Sequence, residues 1–327
     1  MSEKEKLLEI KDLEISFKTD DGWLNAVQGL NFSISKGEAM ALVGESGCGK
    51  SITSMSIMRL LGPNAKVTGS VAYKGQNLLE NSRRKMEKLR GKEIAMIFQE
   101  PMSALNPVLR IGDQIKEPLR LHEKLSRKGM DDRVLELLNQ VGIPRPKQVA
   151  NEYIHQLSGG MRQRVMIAMA MACNPTLLVA DEPTTALDVT VQAQILELLQ
   201  KLQEENHMAL LLITHDLGVV AEVCQRAAVM YAGKIVEESD TKTLFANPKH
   251  PYTQGLLESL PKLTGKRERL KPIVGNVPSL ANMPAGCRFA PRCPKAMPIC
   301  SQAEPNFIQV ESGHQTSCWA EAKEVLA

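Results

Sequence analysis

Apolar and polar positions along this 327-residue chain follow two periods, one of about two and one near 3.6. Residues 8–17 and 30–34 alternate position by position, which predicts strands. Residues 39–43 are a short apolar run leading straight into a glycine-rich loop, and residues 51–61 then read as a helix. Further buried strands are predicted at 94–98, 177–180 and 210–213, and helices at 162–173 and 191–205. Residues 229–236, turning at Ala232 and Gly233, read as a hairpin. Alternating strands and helices predict an α/β core with a mostly parallel sheet. From about 101 to 157 the pattern turns helical and polar, like an insertion into that core, with a 3.6-residue apolar period at 134–141. After about Asn247 prolines become frequent and the alternation stops, so the remainder reads as a C-terminal extension.

Composition changes this picture little. Apolar residues make up 43% of the chain and the net charge is +3, values ordinary for a globular protein and no pointer to nucleic acid. The first nine residues are charged and lack a signal-peptide core, and no apolar run approaches the roughly 18 residues of a membrane span. A cytoplasmic protein is expected, able to sit at a membrane through partners. Charge is uneven, however. Between Lys262 and Lys295 eight Lys/Arg face one acid, Glu268, a net +7. Of seven cysteines, Cys48, Cys173 and Cys224 are isolated, whereas Cys287, Cys293, Cys300 and Cys318 cluster. Without an export signal, metal binding is a better reading of that cluster than disulfides.

Residues 44–51, Gly44-Glu45-Ser46-Gly47-Cys48-Gly49-Lys50-Ser51, follow the pattern G-x-x-x-x-G-K-S. Glycines let successive backbone N–H groups wrap a triphosphate, and the following helix adds its positive end. Lys50 is expected at the β- and γ-phosphates, the Ser51 hydroxyl on Mg²⁺, and Ile52 beside them. Cys48 reads as a small residue fitted into the loop; a thiol beside Lys50 could alternatively be reactive. The strand at 177–180 ends in Asp181 and Glu182. Asp181 is expected to hold Mg²⁺, and Glu182 to polarise the attacking water. Gln99 ends another strand, where it could touch metal and water. His215 follows the strand at 210–213, at the strand ends where ligands of such sheets collect, and is expected at the γ-phosphate.

Between the loop and the acids lies Leu157-Ser158-Gly159-Gly160-Met161, a small-residue turn opening a helix. With it, the chain resembles the nucleotide-binding subunit of ATP-binding-cassette (ABC) transporters over residues 7–250. Walker A (44–51), Q-loop (Gln99), signature (157–161), Walker B (177–182), D-loop (Ala186, Leu187, Asp188) and H-loop (His215) stand in family order. The resemblance implies a RecA-like, mostly parallel core with an N-terminal antiparallel β subdomain and an inserted helical subdomain. It implies hydrolysis of ATP with Mg²⁺, and an aromatic on adenine, for which Phe17 fits best and Trp23 second. Two subunits of this family pack head to tail, so that Ser158, Gly159, Gly160 and Asp188 would serve the ATP of the partner. The helical block would pass the motion to two transmembrane permease subunits.

Residues 247–261, beginning Asn247-Pro248-Lys249-His250-Pro251-Tyr252-Thr253, and the run Gly286-Cys287-Arg288-Phe289-Ala290-Pro291-Arg292-Cys293-Pro294 carry a narrower likeness. They are similar to the oligopeptide/dipeptide import subfamily, which also includes nickel importers. Two domains are therefore expected: residues 1–250, the ATPase, and 251–327, the extension. The likeness implies peptide uptake at the cytoplasmic membrane face, a related paralogue as second ATPase subunit, and an extracellular or periplasmic substrate-binding protein. The cysteine spacing C-x5-C-x6-C-x17-C is wider than compact zinc sites use and by itself leaves the metal open. Some members of the resembled subfamily carry a [4Fe–4S] cluster on these four cysteines; zinc is the alternative, and either role would be structural. The rival readings are a soluble cassette ATPase of DNA repair or translation, which usually has two cassettes or a long coiled coil, and a binding module without turnover. The intact set Lys50, Asp181, Glu182 and His215 argues against the latter.

Overall fold

The computed structural model describes residues 5–20, 22–100, 104–185, 187–260 and 272–322. Ala186 of the expected D-loop, Pro261 and the basic residues at 262–271 lie outside the described residues. The chain divides into two compact units. One holds residues 8–34, 39–79 and 214–327; the other holds 1–7, 35–38 and 80–213.

The first unit contains the expected antiparallel sheet. Its strands β1 (Lys6–Thr19), β2 (Gly22–Ser35), β4 (Ala65–Tyr73) and β5 (Gln76–Asn77) lie in the order β2-β1-β4-β5. Alternation along β1 buries Leu8, Ile10, Leu13 and Ile15, with a register shift between Lys11 and Glu14. Gly69 sits opposite that shift at φ 92, where an added Cβ would lie 2.3 Å from the Asp12 carbonyl oxygen. The unit's other strands build on β3 (Ala39–Val43), buried throughout, which runs parallel to β9 (Arg226–Tyr231). β9 turns through Ala232 and Gly233 into β10 (Lys234–Asp240), the expected hairpin. The tail then adds two strands that the hydrophobic pattern does not announce. β11 (Ile308–Glu311) and β12 (His314–Thr316) form a hairpin, and β12 pairs with β10.

The second unit centres on three parallel strands: β6 (Ile94–Ile97), β7 (Leu177–Asp181) and β8 (Ala209–Thr214). β7 and β8 are buried at every position, as a strand covered on both faces should be. The inserted block is helical, as expected. Helices Ile111–His122 and Arg127–Gln140 pack on each other and on helix Gly159–Ala170. Ile111, Ile115 and Leu119 form one buried stripe, and Val134, Leu137, Leu138 and Val141 another. Among the described residues no helix is long and apolar enough to cross a membrane.

Candidate nucleotide site and cysteine cluster

β3 delivers the chain into the phosphate loop, and helix Lys50–Ile57 leaves it. Close approach dictates the glycines. A Cβ on Gly44 would lie 2.1 Å from the Met230 carbonyl oxygen, and Gly49, at φ 106, would meet the Met230 side chain at 2.8 Å. Lys50 is buried at the centre of the loop, its Nζ donating to the carbonyls of Gly44 (2.7 Å) and Glu45 (3.0 Å). Thr53 Oγ1 donates to the Gly49 carbonyl at 2.9 Å and fixes the first helical turn. Cys48 is buried, and that burial pushes its thiol up, which fits a packing residue rather than a reactive one. Ser46 and Gly47 are exposed, and Ser51 and Ile52 half-buried. Phe17 on β1 is half-buried, while Trp23 on β2 is 50% exposed; both belong to the unit that holds the loop. His215 belongs to that unit too and is exposed just beyond the end of β8.

Asp181 and Glu182 close β7 in the other unit. Asp181 is buried, whereas Glu182 takes a left-handed backbone (φ 46) and its N–H donates to the Ile213 carbonyl at 2.8 Å. That turn swings the Glu182 carboxylate out of the strand. Its Oε2 accepts from Gln99 Nε2 and from Thr185 Oγ1, each at 2.9 Å. The structure thus brings together Gln99 and Glu182, which the sequence nominates separately, and adds Thr185, which it does not.

Signature and D-loop occupy two helix starts of the same unit. Ser158 caps helix Gly159–Ala170, accepting from the Met161 N–H at 3.4 Å, and Asp188 caps helix Val189–Asn206, accepting from Val191 N–H at 3.0 Å. Leu157 is buried; Ser158, Gly159 and Asp188 are exposed. Gly160 lets the starts meet, while Gly159 makes only an ordinary contact. A Cβ on Gly160 would lie 2.7 Å from Val191 Cγ1, and one on Gly159 3.6 Å from Leu187 Cδ2.

The four clustered cysteines converge although up to seventeen residues separate neighbours in sequence. Cys287, Cys293, Cys300 and Cys318 line one cavity with His250, Phe289 and Trp319. The Cys287 N–H donates to the Cys300 carbonyl at 2.8 Å, an approach that Gly286 permits, since its Cβ would lie 2.3 Å from that oxygen. None of the cysteines is in a disulfide. Burial pushes the Cys287 and Cys293 thiols up, and Cys318 up to about 11. Among the described residues, no group of three or more His, Cys, Asp or Glu side chains is arranged to hold a metal ion. Four thiols lining one cavity are donor chemistry that suits a thiophilic group.

A family model described as ABC transporter matches residues 27–185, and one described as oligopeptide/dipeptide transporter, C-terminal region, matches 236–300. The dipeptide transport ATP-binding protein of Bacillus subtilis is 51% identical, over 96% of this chain and 95% of its own length. This chain belongs to the ABC transporter ATP-binding family. An oligopeptide transport ATP-binding protein of the same organism is also 51% identical, over 96% of the chain and 88% of that protein. Among solved structures, a dimeric ATP-binding cassette in a post-hydrolysis state, bound to ADP and Pi, is similar with a TM-score of 0.65. It is 30% identical, and the match covers 72% of this ABC subunit and 98% of the cassette. The cassette fold, with its mixed α/β sheets, is thereby established, and an ATP-binding cassette implies ATP with Mg²⁺.

Two site residues of the ABC subunit escape sequence reasoning. Thr185 holds Glu182, as described above. Tyr252 Oη accepts the Glu45 N–H at 2.8 Å, from 207 residues away. Tyr252 stands in the 247–253 motif that marks the subfamily, but no spacing rule connects it to the phosphate loop.

Proposed function

We propose that this chain is the ATP-hydrolysing subunit of an importer of di- or oligopeptides, working at the cytoplasmic face of the membrane. The observation that carries the reading is the similarity, over nearly the whole chain, to ATP-binding proteins named for dipeptide and oligopeptide transport. Its partners in this reading are a second cassette subunit, two transmembrane permeases and a substrate-binding protein. The names of these relatives, for dipeptide and oligopeptide transport, favour peptides over nickel or another small solute.

The chemistry is phosphoryl transfer to water, in which the protein positions groups and stabilises charge. In the loop of Gly44, Glu45, Ser46, Gly47, Cys48 and Gly49, Lys50 and the backbone N–H groups not already engaged within the protein take the phosphates, with Ser51 and Ile52 opening the helix behind them. Ser51, Asp181 and Gln99 would hold Mg²⁺, which would supply positive charge against the phosphates. Glu182 accepts a proton from the attacking water, its carboxylate oriented by Gln99 and Thr185. His215 supports the γ-phosphate, and Phe17 stacks on adenine, with Trp23 the second choice. Leu157, Ser158, Gly159, Gly160, Met161 and Asp188 serve the ATP of the partner subunit. Exposure of the Ser158 helix start, an anion-binding end, supports that assignment. ATP favours the closed pair over the open one, and hydrolysis removes that preference.

The four cysteines are read as ligands of a structural [4Fe–4S] cluster in preference to zinc. What supports a metal group at all is that Cys287, Cys293, Cys300 and Cys318 line one cavity; the preference for iron–sulfur over zinc rests on the subfamily resemblance alone.

The decisive variant is Glu182→Gln. It should bind ATP with wild-type affinity, while phosphate release by the assembled transporter falls by ~10²-fold or more. Hydrolysis at the wild-type rate would remove Glu182 from its role.

A further inference from the structure

Glu45 is the second residue of the phosphate loop, so it brings a negative charge into a loop read as the seat of a strongly anionic ligand. Like charges at short range repel, and more strongly where water is scarce. The loop therefore needs something to offset Glu45, and neither Lys50 nor the helix start contacts its side chain in the bonds described above.

The offset comes from the cysteine-rich segment. Arg292, between Cys287 and Cys293, makes a two-pronged ion pair with Glu45: Nη1 to Oε2 at 2.6 Å and Nη2 to Oε1 at 3.0 Å. The Arg292 side chain is 4% exposed. Its remaining donors are also engaged. Nε donates to the Val274 carbonyl at 3.0 Å, Nη2 to the Ile273 carbonyl at 3.4 Å, and Nη1 to Tyr231 Oη at 3.4 Å. It lies over the Tyr231 and Phe289 rings, 5.7 and 5.9 Å from their centroids. Such a planar fork, with every donor used, is a task for arginine and not for lysine. The backbone of Glu45 is held from the same side, through Tyr252. Arg288 ties the segment down further, donating to the Ala232 carbonyl and to Gln28. Next to Ala232, the Gly233 N–H donates to the loop carbonyl of Cys48 at 2.8 Å.

We propose that Arg292 is a positioning residue of the nucleotide site. It neutralises Glu45 and holds the phosphate loop in its nucleotide-accepting shape, which makes the cysteine-rich segment a working part of ATP binding. The proposal rests on reading residues 44–51 as the phosphate loop.

The test is equilibrium titration of the full-length chain with a fluorescent ATP analogue (methylanthraniloyl-ATP). Wild-type binding, measured first, tests the underlying reading by itself. Arg292→Ala should weaken binding by about tenfold or more at low salt, and by less at high salt, where the exposed Glu45 charge is screened. Adding Glu45→Gln to that variant should recover most of the loss, because the repelling charge is gone; a merely structural lesion would not be rescued by a second change. Arg292→Lys, which keeps the charge but loses the fork, should fall between wild type and Arg292→Ala, and carries the test if the alanine variant does not fold. Wild-type affinity in Arg292→Ala or Arg292→Lys, or a double variant as weak as Arg292→Ala, overturns the proposal.

Discussion

Glu237 shows how much a single buried residue can organise. Its carboxylate is fully buried on β10 and accepts three hydrogen bonds: from the Lys249 N–H at 2.6 Å, the His250 N–H at 2.9 Å and His314 Nε2 at 2.7 Å. Two of these donors are backbone groups of the segment leading to Tyr252, and the third lies on β12. Glu237→Ala should therefore strand three donors at once, two of them buried. A loss of roughly 3 kcal/mol or more is expected, read as a lower midpoint in urea or thermal unfolding. A change under ~0.5 kcal/mol, the scale of an ordinary surface substitution, would show that these bonds are replaced by others. Residues of this kind mark the limit of what the sequence discloses. Gly44, Gly49 and Lys50 are legible because the chemistry they serve is local. The Glu45 contacts of Tyr252 and Arg292 span 207 and 247 residues, and no periodicity links positions so far apart. The choice between Phe17 and Trp23 is similarly silent, because both lie on one sheet and differ only in exposure.

Elements were more legible than residues, and the differences have physical causes. Strands β3, β7 and β8 are continuous apolar runs, buried at every position, and stand where the pattern puts them. The helix after the phosphate loop is expected to reach residue 61 but spans Lys50–Ile57. Arg59 ends it by adopting φ 50, with its Nη1 donating to the Leu78 carbonyl at 3.2 Å. β11 and β12 are short and only partly apolar, so their strand character comes from pairing with β10 and not from their own pattern. That hairpin precedes Cys318 and helps bring it to the cavity shared with Cys287, Cys293 and Cys300. Anaerobic purification should accordingly yield about four iron and four sulfide per chain, with a brown visible absorbance. Replacing Cys318 by Ser should lower both contents together. Zinc without iron in the wild-type protein would overturn the cluster and restore the alternative.

At the scale of the whole molecule, the residues proposed for catalysis fall in two separately compact units. One carries Lys50, Ser51 and His215; the other carries Gln99, Asp181 and Glu182, together with the Ser158 and Asp188 helix starts. A chain that already has one anion site at its phosphate loop gains nothing from a second, exposed one unless it faces another nucleotide. The monomer should therefore bind ATP but hydrolyse it poorly. A pair of this chain with its partner cassette, with the matching glutamate and signature serine changed in either subunit, separates this from a signature acting on its own chain. In the head-to-tail arrangement, Glu182→Gln silences the site of the subunit that carries it, whereas Ser158→Arg silences the partner's. Placed in the same subunit, the two changes should abolish hydrolysis; placed in opposite subunits, they strike one site twice and should leave about half of the activity, as independent sites require. A signature serving its own chain inverts the two results, with about half of the activity left when both changes share a subunit and none when they are separated. Phosphate release from the two mixed pairs thus decides which ATP Ser158 serves.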